Sequence, residues 1–256
     1  MNSAPLIWSF NHGSRQLDVD LVEPVPARCA DLLKSTEVDF ALVPVIEYQR
    51  IPNARLVRDV CVGSREKVRS VVLTSRLNNL KKVRTVALDE SSRTSAALVK
   101  IVFREFLGFE PRWTTCSPDV RQMLRENDAA LLIGDPGMAF AREHLHVWDM
   151  AALWRENTGF GFVFAMWMAS GTAGVATPDF VAARDEGLAQ IEEIVSEYVQ
   201  KIQMPAEEIR DYLNHNIAFQ IDEDLKQGMQ RYYELAHKHG LIEELKPLEF
   251  VMSDSE

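Results

Sequence analysis

Apolar and polar positions along the chain follow two periods, and the segments they mark alternate in kind. Val83-Arg84-Thr85-Val86-Ala87-Leu88 is short and β-prone, and just beyond it Leu98, Val99, Ile101, Val102, Phe103 and Phe106 return at helical spacing. This predicts a strand running straight into a helix over 94–107, with Gly108 where a C-cap glycine belongs. Val38-Asp39-Phe40-Ala41-Leu42-Val43-Pro44-Val45 and Ala129-Ala130-Leu131-Leu132-Ile133-Gly134-Asp135 are nearly continuous apolar runs, as expected of parallel strands covered on both faces. Residues 56–62, 68–73 and 112–115 give further short strands. Leu17, Val19 and Leu21 alternate like another strand, before Pro24 and Pro26 stop it and launch a helix through Cys29, Leu32 and Leu33. A short helix is predicted over 119–126, capped at or near Ser117, with Pro118 in its first turn.

Residues 1–6 read as a proline-containing loop, and 154–161 as a polar turn ahead of a central strand or buried crossing at 162–167. From Pro178 onward the pattern is helical, with Leu188, Ile191, Ile194, Val195, Tyr198 and Val199 on one face. Pro205 starts another helix, and a last one runs from about 222 to 239, stopped by Gly240. These C-terminal helices read as scaffold. Alternating strands and helices with one late return segment predict an α/β clamp of two lobes, residues 1–75 with 162–256 in one and 76–161 in the other. A cleft between them would collect Asn2, Ser3, Ser70, the hydroxyls at 91–95, Gly134, Asp135, Thr158 and Gly159, and in open α/β sheets ligands sit beyond the strands' carboxyl ends.

The chain has 256 residues, 46% hydrophobic and 26% charged, enough for one sizeable core or two smaller ones. A formal net charge of −10 argues against a nucleic-acid partner, and no run approaches the roughly 18 apolar residues of a membrane span. Residues 1–10 lack the basic start and apolar core of a signal peptide, so a cytoplasmic location is expected. Cys29, Cys61 and Cys116 are widely spaced and read as reduced thiols; with the histidines they offer no metal-ligand spacing, and no metal is expected. The five tryptophans are read as core, with Trp8, just after the Asn-Ser loop, the one placed to wall a pocket. The tail at 252–256 is mildly acidic and is expected to fray.

The candidate chemistry sits at the junction before the 94–107 helix. A helix N-terminus carries unpaired N–H groups and about half a positive charge, so hydroxyls there cap it, hold an anion, or do both. Capping needs one or two hydroxyls. Here Ser91, Ser92, Thr94 and Ser95 offer more than capping requires.

Six segments then become recognisable together: Asn2-Ser3-Ala4-Pro5-Leu6, the 38–45 run, Ser70-Val71-Val72-Leu73, Leu88-Asp89-Glu90-Ser91-Ser92-Arg93-Thr94-Ser95, residues 128–135, and Thr158-Gly159-Phe160-Gly161-Phe162-Val163-Phe164-Ala165. In this order they resemble the chorismate dehydratases of the futalosine route to menaquinone, over residues 1 to about 167. The resemblance implies a fold like the periplasmic solute-binding proteins (type II). It also implies removal of water from chorismate to give 3-[(1-carboxyvinyl)oxy]benzoate. Three departures stand out. The family usually has a strand ahead of the Asn-Ser loop, so either a start placed too late or a lost first strand is expected; Pro136-Gly137 stands where small residues such as alanine are usual; and Gly161 replaces a usual proline.

Under this resemblance Asn2 and Ser70 are the expected catalytic residues, Asn2 hydrogen-bonding the departing hydroxyl or developing charge. Ser3, Ser91, Ser92, Thr94, Ser95, Asp135, Thr158 and Gly159 would bind substrate. The motifs contain no His, Lys or Cys, and a free carboxylate would repel a dianion, so the substrate's own enolpyruvyl carboxylate is expected to take the proton. No cofactor is expected. The expected partner is the small-molecule substrate, with a homodimer left open. Two rivals remain: a non-catalytic binding protein of the same fold, and the dihydroxynaphthoate synthase of the same pathway, whose chemistry calls for a cleft histidine.

Overall fold

A computed structural model describes residues 1–171 and 176–251; the acidic tail at 252–256 lies outside the described residues. In chain order the elements are α1 (Ala4–Asn11), α2 (Pro26–Lys34), β1 (Phe40–Pro44), β2 (Arg55–Ser64), β3 (Val71–Ser75), β4 (Thr85–Asp89), α3 (Thr94–Ile101), β5 (Arg112–Cys116), α4 (Val120–Glu126), β6 (Ala129–Ile133), α5 (Gly134–Ala139), β7 (His146–Asp149), α6 (Met150–Thr158) and β8 (Phe162–Ala169). Helices α7 (Phe180–Ala189), α8 (Ile191–Ile202), α9 (Ala206–Asp211) and α10 (Glu223–Lys238) follow. The strands form a three-stranded sheet, β1-β8-β2, and a five-stranded sheet, β5-β4-β6-β3-β7.

Helix α3 continues as a wider turn over Val102–Leu107 and ends at Gly108 in the left-handed region, as its spacing predicts. Strand β4 pairs in parallel with β5 and β6, so its carboxyl end and the start of α3 share one edge. The 38–45 run does not form a parallel strand. Its β1 is antiparallel to β8, because an unbroken apolar run reports cover on both faces and not strand direction. Strand β3, expected in the first lobe, pairs with β6 and β7 in the five-stranded sheet. The chain therefore crosses between sheets in the segment from Ser64 to Val71, where the Asp149 carboxylate accepts from the Val68 and Arg69 N–H groups at 3.2 and 2.7 Å.

Three local expectations are overturned. Residues 1–6 do not stay a loop: α1 starts at Ala4 with Pro5 in its first turn, where a missing N–H costs nothing. The alternating stretch at 17–21 finds no sheet edge and runs as turn and coil with Leu17 fully exposed. The polar turn expected at 154–161 is instead the end of α6, capped in front by the Asp149 side chain and closed by Gly159 at φ +80°. Its polar residues mark a solvent face, not a turn.

The C-terminal helices hold the two sheets. Helix α7 lies so close on α1 that a Cβ on Gly187 would come within 2.0 Å of the Pro5 carbonyl oxygen. The buried Tyr232 and Tyr233 of α10 donate to the carbonyls of Thr94 and Val45, tying the start of α3 to the turn after β1. Among the described residues no helix is long and apolar enough to cross a membrane.

Candidate active site

One cavity of about 1170 Å³ opens where α1, β1, β8, α3 and α5 meet. Asn2, Ser3, Ser91, Ser92, Thr94, Ser95, Gly134 and Asp135 line it together, drawn from both ends of the sequence motifs. Each comes from an element start. Asn2 and Ser3 precede α1, the hydroxyl group spans the β4–α3 junction, and Gly134-Asp135 begins α5.

The hydroxyls do not act alike. Ser91 is committed to the turn itself: its Oγ and N–H both donate to Asp89 Oδ1, at 2.7 and 2.9 Å. It lines the cavity, and its one hydroxyl proton is engaged by Asp89. Thr94 Oγ1 accepts from the Ile46 N–H at 3.3 Å, which leaves its proton to donate. Ser92 Oγ is buried with no partner among the described residues. Helix α3 carries no side-chain cap, so its first-turn N–H groups lack the acceptor that Ser or Thr usually supplies. Four hydroxyls stand at this helix start, and none caps it.

Ser3 caps α1 no better, and neither Asn2 nor Ser3 has a side-chain hydrogen bond among the described residues. The backbone N–H groups of Ala4 and Leu6 are taken by Met1 and Ser3 carbonyls, so this wall offers side-chain donors in place of helix N–H groups. Asp135 pairs with the Met1 amino group at 3.2 Å. Burial lowers the pKa of that amine, against the pull of Asp135.

Ser70, Thr158 and Gly159 are not brought to this cavity. Ser70 is fully buried behind α5, where its Oγ accepts from the Tyr212 hydroxyl at 2.8 Å. A Cβ on Gly137 would lie 2.5 Å from the Ser70 carbonyl oxygen, so this packing needs the glycine that stands where alanine is usual. The Thr158 hydroxyl bonds the Trp154 carbonyl one turn back, and Gly159 is the αL cap of α6. Both serve the end of a helix. A strand-end position in the sequence does not fix which side of the strand end faces the cleft.

Sequence reasoning missed one group, Trp167. Trp8 packs beside His12 and does not wall the cavity, whereas Trp167, read as core, does. Ala165 and Trp167, two apart in β8, both line the cavity, but so does Phe164 on the opposite parity, so alternation alone does not single out Trp167. Arg93 is the one Lys or Arg among the described lining residues, and it is already engaged, with Asp31 at 2.7 Å and Glu47 at 3.1 Å. The Arg93 hydrogen bond holds Asp31 below the usual carboxylate range. The described lining residues include no histidine, and Cys29 there has its thiol pushed up by burial. Carboxylates outnumber Arg93 on the described lining, so a small anion here is held by neutral donors and a helix N-terminus against a negative surround.

A sequence model described as menaquinone biosynthesis matches residues 1–238. A chorismate dehydratase of Thermus thermophilus is 27% identical over 254 residues, covering 91% of this chain and 91% of that protein. Among solved structures, protein AF1704 from Archaeoglobus fulgidus superposes with a TM-score of 0.72 at 18% identity, over 94% of this chain and 95% of that one. The periplasmic aliphatic sulphonate binding protein SsuA from Escherichia coli gives 0.60 at 17% identity, over 98% and 93%. The fold is that of the periplasmic binding proteins, as the two-sheet architecture suggests.

Proposed function

Because the chain belongs to the menaquinone biosynthesis family, we propose that it is a chorismate dehydratase, a hydro-lyase converting chorismate to 3-[(1-carboxyvinyl)oxy]benzoate and water. The observation that carries this reading is the uncapped start of α3, with the free hydroxyl of Ser92 and those of Thr94 and Ser95, facing Asn2 and Ser3 across one cavity. Chorismate has two carboxylates, a ring hydroxyl and an enol ether, and needs many donors on opposing walls. One carboxylate is held by the α3 N-terminus with Ser92, Thr94 and Ser95. Asn2 and Ser3 meet the substrate from the facing wall.

In the reaction the C–H bond at the enol-ether carbon breaks, its electron pair becomes a ring double bond, and the neighbouring C–O bond breaks to release hydroxide, which leaves as water. Carboxylates line the cavity wall, Asp39, Glu90 and Asp135 among them, but a free carboxylate would repel the substrate dianion. Asp89 accepts from Ser91, and burial raises the pKa of the Cys29 thiol. The enolpyruvyl carboxylate of the substrate itself takes the proton, and Asn2 donates to the departing hydroxyl. Positioning of this intramolecular base contributes up to roughly 7–11 kcal/mol in favourable cases, with aromatisation as the drive. The elimination is redox-neutral and transfers no group, so it calls for no cofactor. The protein works in the cytoplasm, where chorismate is made and used.

The test is product identification. Purified protein incubated with chorismate should remove its diene absorbance and yield a product lighter by one water. Binding without turnover would favour the non-catalytic clamp instead.

A further inference from the structure

Two polar atoms on the cavity wall are buried without a hydrogen-bond partner among the described residues, Ser92 Oγ and Trp167 Nε1. Unmet buried donors are rare in folded proteins, and each one asks what it is kept for. Ser92 sits at the carboxyl end of β4 in the five-stranded sheet; Trp167 is in β8, the central strand of the other sheet, across from Leu42. The two atoms therefore belong to opposite walls of one cavity.

The indole is held in place by its neighbours. It packs against Phe180 with ring centroids 4.7 Å apart and meets the Phe10 ring edge-on at 6.4 Å. Trp167 is only 6% exposed, so packing fixes its ring while leaving the N–H unsatisfied. An indole nitrogen can only donate, and in a dry site its hydrogen bond to a charged acceptor is stronger than in water. Phe40 and Phe180, with ring centroids 5.3 Å apart, line the cavity beside the indole and give it an apolar aromatic surround.

Resting on the dehydratase reading above, we infer that Trp167 is a further substrate-positioning residue, its indole N–H donating to an acceptor oxygen of the substrate while Ser92 and the α3 N-terminus hold a carboxylate at the opposite wall. The site then selects a flat, unsaturated compound with acceptors at both ends. A monoacid of the same ring loses one of its two anchors.

The experiment uses the full chain, ¹⁵N-labelled, with the Trp167 indole signal assigned by its loss in Trp167→Phe. That substitution keeps an aromatic ring and removes the N–H. Adding chorismate, and separately the benzoate product, should move the Trp167 indole resonance. Trp167→Phe should raise KM about tenfold or more, as for a lost hydrogen bond to a charged group, with kcat changed far less. Backbone signals at 92–96 that move while the Trp167 indole stays still would overturn this inference and leave the dehydratase reading intact. If no signal moves and nothing is turned over, the choice of substrate itself is wrong, and this inference goes with it. The wild-type titration decides the matter even if the variant folds poorly.

Discussion

Arg93 Nη1 lies 3.1 Å from Glu47 Oε2, and that contact links the residue just before α3 to the turn that follows β1, one in each sheet's half of the molecule. The same guanidinium reaches Asp31 on α2 at 2.7 Å. Glu47 is nearly buried, but it also holds Arg50 at 2.8 Å, so loss of Arg93 does not strand its charge. Arg93→Ala is expected to cost stability by no more than about 1 kcal/mol, since the pairs are partly solvent-screened. The hydroxyls beside it lose their tie to the facing wall, and KM for chorismate should rise several-fold. Thermal melting and steady-state kinetics check both; an unchanged KM removes the clasp role.

Ser92→Ala separates binding from folding. The Ser92 hydroxyl is buried and unpartnered, so its removal should leave the melting temperature equal or slightly higher. A carboxylate held by that hydroxyl would lose one charge-assisted bond, and KM should rise about tenfold. A large drop in melting temperature would mean that the hydroxyl supports the fold instead.

Asn2→Ala should act on the other kinetic constant. If the Asn2 amide donates to the departing hydroxyl, kcat should fall by roughly 10²–10³, the cost of losing one donor aimed at developing charge. Full turnover would exclude Asn2 from the chemistry.

The fold and half of the site were legible in the residues for the same reason. The strand-to-helix junction at 88–98 shows both periods side by side, and parallel pairing of β4 then places its hydroxyls at a sheet edge. Ser70 shows the limit. Its motif lies at a strand start, but which face it takes depends on the approach of α5 and on Tyr212, 142 residues away. Trp167 was hidden by composition, because a tryptophan in an apolar run reads as core whether it faces a packed interior or a cavity. The α6 helix was hidden by its polar end, although Asp149 and Gly159 were both caps in plain sight.

Glu186 sets a pH dependence at the contact between α7 and α1. Its carboxylate accepts from the hydroxyls of Ser9 and Ser14, then from the Ser14 N–H, with Arg15 alongside, and is held down to about 2. A depressed carboxylate contributes stability that is complete above its ordinary value near 4.5 and lost as pH falls toward 2. Wild type should therefore lose stability in that window more steeply than Glu186→Gln. Denaturant midpoints at pH 6, 4 and 3, in about that range, measure the difference, and parallel curves would count against the network.

Gly161 gives the sharpest structural prediction, because a proline is usual at this place in the proteins the sequence resembles. Here the Gly161 N–H donates to Asp224 Oδ2 at 3.0 Å, and the same oxygen takes Arg155 Nη1 at 3.0 Å. Proline has no N–H to give, and any Cβ at 161 would sit 2.8 Å from that oxygen. The Gly161 carbonyl is also fixed, accepting from the Trp154 indole at 3.1 Å and lying where a Cβ on Gly228 would come within 1.9 Å. The glycine is thus matched by Asp224, Arg155 and Gly228, and restoring the usual proline alone should destabilise. Loss of a bond to a charged group and the crowding together cost about 2–3 kcal/mol, or roughly 5–10 °C in melting temperature. Gly161→Pro combined with Asp224→Ala should recover part of that loss, since the second change removes the obstructing oxygen, although it also gives up the Arg155 pair. A single variant as stable as wild type, or a double variant no better than the single, would show that Asp224 does not set the residue at 161.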